Sequence, residues 1–178
     1  VPERPTRVVL VGFMGSGKTS VGRVLARRLD YRFEDMDHRI EERTGRRIAD
    51  IFREDGEEAF REMEREEARA LVSLPHRVVA AGGGAFTRAA TRALLQEGAL
   101  TVWLRCDLDR ILARVPADGS RPLAGNRDIM RALLAEREPS YCMADVVVDA
   151  SAGAPREVAD RIVGLLEGRN RKRTSARR

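Results

Sequence analysis

The chain has 178 residues, 43% of them hydrophobic, which suits one domain around a single core; no run reaches the roughly 18–20 uninterrupted apolar residues of a membrane helix, and the first seven residues lack the apolar centre of a secretory signal. The formal net charge of +5 is misleading, because the last ten residues carry six positive charges and no negative ones, leaving the rest near −1. A basic body shaped for nucleic acid is therefore excluded, and stretch 169–178 reads as a solvated, disordered tail rather than a binding element.

Residues 7–11, Arg-Val-Val-Leu-Val, read as a short strand buried on both faces. Gly12-Phe-Met-Gly-Ser-Gly-Lys-Thr19 follows with the G-x-x-x-x-G-K-[ST] spacing of a phosphate-binding loop, and Val21, Val24, Leu25 and Leu29 then recur at helical spacing. Strand, glycine loop and helix together make a polyphosphate site: glycines turn backbone N–H groups into one concavity and the helix adds its positive end. Only two lysines occur in the chain, and Lys18 is one of them. A compact ammonium reaches β- and γ-phosphates in a way a broad guanidinium does not, while the Thr19 hydroxyl is placed for Mg²⁺.

Further strands are expected at 31–34, 77–81, 100–104 and 145–148, with helical patterns between them such as Ile40, Ile48, Ile51 and Phe52, or Leu108, Ile111, Leu112 and Val115. Five strands alternating with helices imply an α/β fold, a three-layer arrangement with a five-stranded parallel sheet covered on both faces. Ligands then bind beyond the carboxyl ends of the strands. Asp35-Met-Asp37 closes the second strand, where residues two apart share a face and both carboxylates could meet the crevice; as an alternative, Asp37 caps a helix over 38–44. Arg61 among Glu57, Glu58 and Glu64, and Arg137 beside Glu136 and Glu138, read locally as surface ion pairs. Gly82-Gly-Gly84 ends the third strand on the ligand side, where three glycines imply close approach to the backbone. Residues 116–125, dense in turn formers, are either a plain loop or a flap that carries Arg121 towards a phosphoryl group. Cys106 and Cys142 form no C-x-x-C pair and no metal cluster with His38 or His76, and read as reduced thiols.

Taken in order, these segments resemble the shikimate kinase family from about Arg7 to Leu166. The resemblance rests on G-F-M-G-S-G-K-T-S-V-G-R (12–23), D-M-D (35–37), R-T-G-R-R-I-A-D-I-F (43–52), F-R-E-M-E (60–64), G-G-G-A (82–85), R-P-L (121–123) and R-E-P-S-Y (137–141). It implies a nucleoside-monophosphate-kinase-like fold in a single domain over 1–168, with a substrate-binding segment at about 35–65 and a mobile lid at about 115–125. It also implies transfer of the γ-phosphoryl of ATP to the 3-hydroxyl of shikimate. Asp37 would hold that hydroxyl and act as base, Arg61 and Arg137 would grip the substrate carboxylate, and Gly83 would contact the ring through its backbone. ATP would lie on Met14, Gly15, Ser16, Gly17, Lys18 and Thr19, with Arg121 as the lid cation and Arg114 and Pro155 near adenine; Thr19 and Asp35 would hold Mg²⁺. Ala124 departs from the leucine that commonly follows R-P-L.

The expected setting is the cytoplasm and the expected state a monomer. A gluconate kinase is the nearest rival enzyme, separated by the acceptor-side motifs. A GTP-dependent switch fits less well, because the nearest string to N-K-x-D, Asn126-Arg-Asp-Ile129, lacks both the lysine and the final aspartate.

Overall fold

A computed structural model describes residues 5–114 and 126–175, with side chains as far as 168. The expected lid, with Arg121 and Ala124, lies outside the described residues. The chain runs β1 (Arg7–Val11), α1 (Lys18–Leu29), β2 (Arg32–Asp35), α2 (Met36–Thr44), α3 (Ile48–Val72), β3 (Arg77–Ala80), a short 3₁₀ turn (Ala85–Thr87), α4 (Ala89–Gln96), β4 (Leu100–Arg105), α5 (Leu108–Arg114), α6 (Arg127–Tyr141), β5 (Val146–Asp149) and α7 (Pro155–Ser175).

All strand pairings are parallel, in the order β2-β3-β1-β4-β5. Strand β1 is buried throughout because each face meets a helical layer. Its Val8 and Leu10 pack with Val21 and Leu25 of α1 and Val158 and Ile162 of α7, whereas Val9 and Val11 pack with Leu71 of α3, Ile111 of α5 and Met130 of α6. The period of two thus divides one apolar run between two cores. A third, smaller cluster, Ile40, Ile51 and Phe60 with Ile48, Phe52 and Met63, joins α2 to α3 apart from the sheet.

Register determines what meets at the ligand edge. Asp35 pairs with Ala80 and Ala80 with Leu10, so the residues just beyond that row belong to three connections: the start of α2, the triglycine and the phosphate loop. The sheet order puts these three connections next to one another although the sequence separates them widely.

Two expectations need correction. Asp37 is not in a strand, since β2 ends at Asp35 and Asp37 lies in the first turn of α2. The cap at that helix is Asp35 rather than Asp37, its Oδ1 accepting from the N–H groups of Asp37 (3.2 Å) and His38 (3.4 Å). The other correction is that α7 stays helical to Ser175, into the stretch expected to be a disordered tail. Extending a packed helix needs no new nucleus, and arginine and lysine are good helix formers. Among the described residues, no helix is long and apolar enough to cross a membrane.

Candidate active site

The phosphate loop is shaped by its glycines. Gly12 has φ 142°, and a Cβ there would lie 2.8 Å from the Leu104 carbonyl oxygen of β4, so both conformation and space demand glycine. Gly17, at φ 97°, caps α1 without a side-chain hydrogen bond, and the first turn of that helix contains no acid. Nothing in the side chains competes with an anion for the helix end. Lys18 Nζ donates to the carbonyls of Gly12 (2.8 Å) and Phe13 (2.9 Å), which holds its ammonium against the loop.

Across the loop, the Thr19 hydroxyl donates to Asp35 Oδ2 at 2.7 Å. These are hard oxygen donors of the kind Mg²⁺ takes, and they stand beside the place where phosphates would lie. Among the described residues, no three His, Cys, Asp or Glu side chains gather to hold an ion. A cation here would therefore draw most of its ligands from water and phosphate, as Mg²⁺ commonly does.

A cavity of about 710 Å³ is lined by Met14, Gly15, Gly17, Lys18, Thr19, Asp35, Asp37, Gly83 and Arg114, among others. It brings together most of the residues expected to serve ATP and the acceptor hydroxyl. Arg114 of α5 spans to the far side, donating to the Ala150 carbonyl at 3.4 Å. Pro155, the first residue of α7, is exposed and does not line this cavity; Ser16 is buried beneath the loop rather than facing the cavity.

The triglycine forms one wall, in which Gly82 and Gly84 make room for side chains and Gly83 lies in ordinary contact with Arg137 and the phosphate loop. None of the three has a positive φ, so the requirement is space. A Cβ on Gly82 would lie 2.3 Å from Glu64 Oε1 and 2.7 Å from Asp37 Oδ1; one on Gly84 would lie 2.3–2.6 Å from the Arg61 guanidinium. At Gly83 it would touch Arg137 at 3.6 Å. The two arginines that resemble surface ion-pair members in sequence thus flank the same turn.

Arg61 is 10% exposed, its NH1 2.7 Å from Glu64 Oε2 and its NH2 2.8 Å from Glu57 Oε1. Burial works against its charge, but the facing Glu64 and Glu57 outweigh burial and raise its pKa. Its Cζ also lies 5.6 Å from the Phe60 ring centre and 5.9 Å from that of Phe52. A non-helical Gly56, with φ 85°, breaks α3 just before this stretch and separates the turn carrying Phe52 from the one carrying Arg61. Arg137 is half-buried over the Phe13 ring at 5.7 Å. Among the described residues it forms no salt bridge, though its charge acts on Glu57, Glu64 and Tyr141.

Glu64 was not singled out from sequence, yet it sits at the centre of this wall. Burial lifts its pKa to about 7, Arg61 opposing the shift and neighbouring Asp37 adding to it. The sequence did carry a signal: Phe60, Glu64, Glu67 and Leu71 fall on one helical stripe, and an acid on an apolar stripe is buried for a reason. Glu67 has one too, since its carboxylate receives Arg39 Nε at 2.8 Å and Arg43 Nε at 2.9 Å and so clamps α2 to α3.

A five-stranded parallel sheet with a phosphate loop after its central strand, a lysine on that loop and an aspartate opposite defines a P-loop kinase. The family model for shikimate kinase matches residues 14–167. The chain is 42% identical to a shikimate kinase of Moorella thermoacetica, over 92% of this chain and 98% of the relative, and 44% identical to one of Geobacter sulfurreducens, over 93% of each. The structure of shikimate kinase from Acinetobacter baumannii in complex with shikimate superposes with a TM-score of 0.90 at 37% identity, over 94% of this chain and 96% of that one. The chain belongs to the shikimate kinase family.

Proposed function

We propose that the protein transfers the γ-phosphoryl group of ATP to the 3-hydroxyl of shikimate, giving shikimate 3-phosphate and ADP, as a cytoplasmic monomer. The observation that carries the acceptor half is the triglycine wall, which sets Asp37, Arg61 and Arg137 around one turn facing the phosphate loop. A small molecule bearing both a carboxylate and a ring hydroxyl suits that set: guanidinium forks for the acid and a carboxylate base for the alcohol.

In this reading the N–H groups of residues 14–19 cradle the ATP phosphates, and Lys18 neutralises charge on the β- and γ-phosphates. Thr19 and Asp35 would hold Mg²⁺, which would offset phosphate charge. Asp37 takes the hydroxyl proton as the alcohol oxygen attacks the γ-phosphorus, the bond to the β-phosphate oxygen breaks, and ADP leaves. Arg61 and Arg137 bind the carboxylate, Gly83 meets the ring through its backbone, and Arg114 borders adenine; Pro155, outside the cavity, is assigned to adenine from the family resemblance alone. Arg121, outside the described residues, is assigned as lid cation from the family resemblance, as are the lid over 115–125 and the acceptor-binding segment over 35–65. Most of the catalysis is positioning and charge neutralisation, because the two substrates are both anionic.

The test is ADP release measured side by side with shikimate, with gluconate and with no acceptor. Release that depends on shikimate is expected; turnover of gluconate equal to or above that of shikimate overturns the assignment.

A further inference from the structure

Helix α6 ends with Tyr141, one turn beyond Arg137. Tyr141 is the largest fully buried side chain, at 0% exposure. Its ring packs against Trp103 of β4, with centres 6.0 Å apart, and its hydroxyl donates to the Gly83 carbonyl. Phenylalanine would fill the same apolar surroundings, so the hydroxyl is what needs explaining. Burial pushes the phenol up to about 12, the nearby Arg137 guanidinium offsetting part of the rise, so the group keeps its proton and donates throughout the working pH range.

The carbonyls of the triglycine are each held separately. Gly82 accepts from the Ala85 N–H at 3.1 Å, and Gly84 from the Thr87 N–H at 3.1 Å and the Thr87 hydroxyl at 2.7 Å. Those bonds are local to the turn. Among the described residues, only the middle carbonyl, that of Gly83, is held from another element, and the donor is Tyr141. Among the described residues, the N–H groups of Gly83 and Gly84 donate no hydrogen bond; Gly83 lines the cavity, whereas Gly84 is buried under the Arg61 guanidinium. Because the peptide unit is planar, fixing the Gly83 carbonyl also fixes the N–H of Gly84. Three consecutive glycines have the widest conformational freedom of any tripeptide, and one anchor restricts it where it matters.

We propose that Tyr141 is a positioning residue for the acceptor: its hydroxyl locks the triglycine turn to α6, so that the Gly83 backbone and the Arg137 guanidinium are held in one fixed relation. This rests on the acceptor site assigned above. In that assignment ATP is held by the phosphate loop and not by Tyr141 or the turn it anchors, so the larger effect falls on the acceptor.

Tyr141→Phe keeps the ring and removes the donor. The expected kinetic result is a rise of roughly tenfold in the shikimate KM, the upper range of one net hydrogen bond, with the ATP KM within about twofold. Unchanged constants, or equal rises in both, would overturn the proposal. A second measurement does not depend on which acceptor is used. Amide hydrogen exchange in the peptide covering 82–87 should quicken in the variant while β1 and β4 stay protected. Equal exchange in both proteins would overturn the proposal even if the enzyme used a different acceptor. Failure of the wild type to turn over shikimate would instead count against the assigned reaction, with the exchange comparison still deciding the role of Tyr141.

Discussion

Replacing Glu64 by glutamine should change how stability depends on pH more than it changes stability itself. The wild-type carboxyl is 1% exposed, and its pKa rises from 4.5 in the unfolded chain to about 7 in the fold, because burial disfavours the anion more than Arg61 favours it. Between those values the folded state holds a proton that the unfolded state has released. Stability therefore falls as pH rises across this window, with the full contribution present below 4.5 and lost through 7. A difference of that size corresponds to roughly 3 kcal/mol. Glutamine has no proton to lose and retains an oxygen for Arg61, so the variant lacks this slope. Urea unfolding at pH 5, 6, 7 and 8, followed by circular dichroism, should show the variant gaining on the wild type by about 2.5 kcal/mol across the range, whatever the constant offset between them. Parallel curves would refute the reasoning: Glu64 would then be an anion throughout, and the ion pair with Arg61 would outweigh burial.

Two other substitutions address the wall and the base. Gly84→Ala should leave thermal stability within about 1 kcal/mol, because φ −104° and ψ −11° suit alanine and the clash falls on the flexible end of Arg61. Its shikimate KM should nevertheless rise at least tenfold, as a charged hydrogen bond is lost; steady-state kinetics and a melting curve on one preparation check both halves, and an unchanged KM would remove Arg61 from the acceptor site. Asp37→Asn should lower kcat by roughly a hundredfold or more with the fold intact, in line with loss of a general base. Single-turnover phosphoryl transfer near the wild-type rate would show that Asp37 does not take the proton.

How far the sequence could be read depends on the range of the interaction that fixes each feature. The phosphate loop was legible because its geometry is local: Gly12, Gly17 and Lys18 act within a few residues of one another and leave a spacing. The five strands were legible for the same reason, each being a short apolar run. Asp37 was identified through an incorrect local structure. Alternation along a strand was the argument for facing the crevice, but the first turn of α2 is what turns the side chain inward, with Asp35 as cap. Arg61 and Arg137 were ambiguous, since nearby acids suggest a surface pair; Arg61 does pair with Glu57 and Glu64, but its side chain is only 10% exposed, and its place beside Gly84 is a tertiary feature that no local pattern encodes. Tyr141 shared a quoted motif with Arg137 but had no role, because its partner is 58 residues away.

The triglycine shows why the acceptor wall resists reading from sequence alone. Glycine runs are ordinarily taken as demands on φ, yet none of these three residues has a positive φ. What they supply is absence of bulk, and the atoms that fill the space come from Asp37 on α2, Arg61 and Glu64 on α3, and Arg137 on α6. Neutral Glu64 spares the wall a second negative charge beside Asp37, the proposed base, while ionised Glu64 compensates Arg61. The proton on Glu64 thus sets how much positive charge Arg61 offers to an incoming carboxylate. Acceptor affinity should therefore depend on pH around 7 through a group that does not react, with the anion of the acceptor favoured on the acid side.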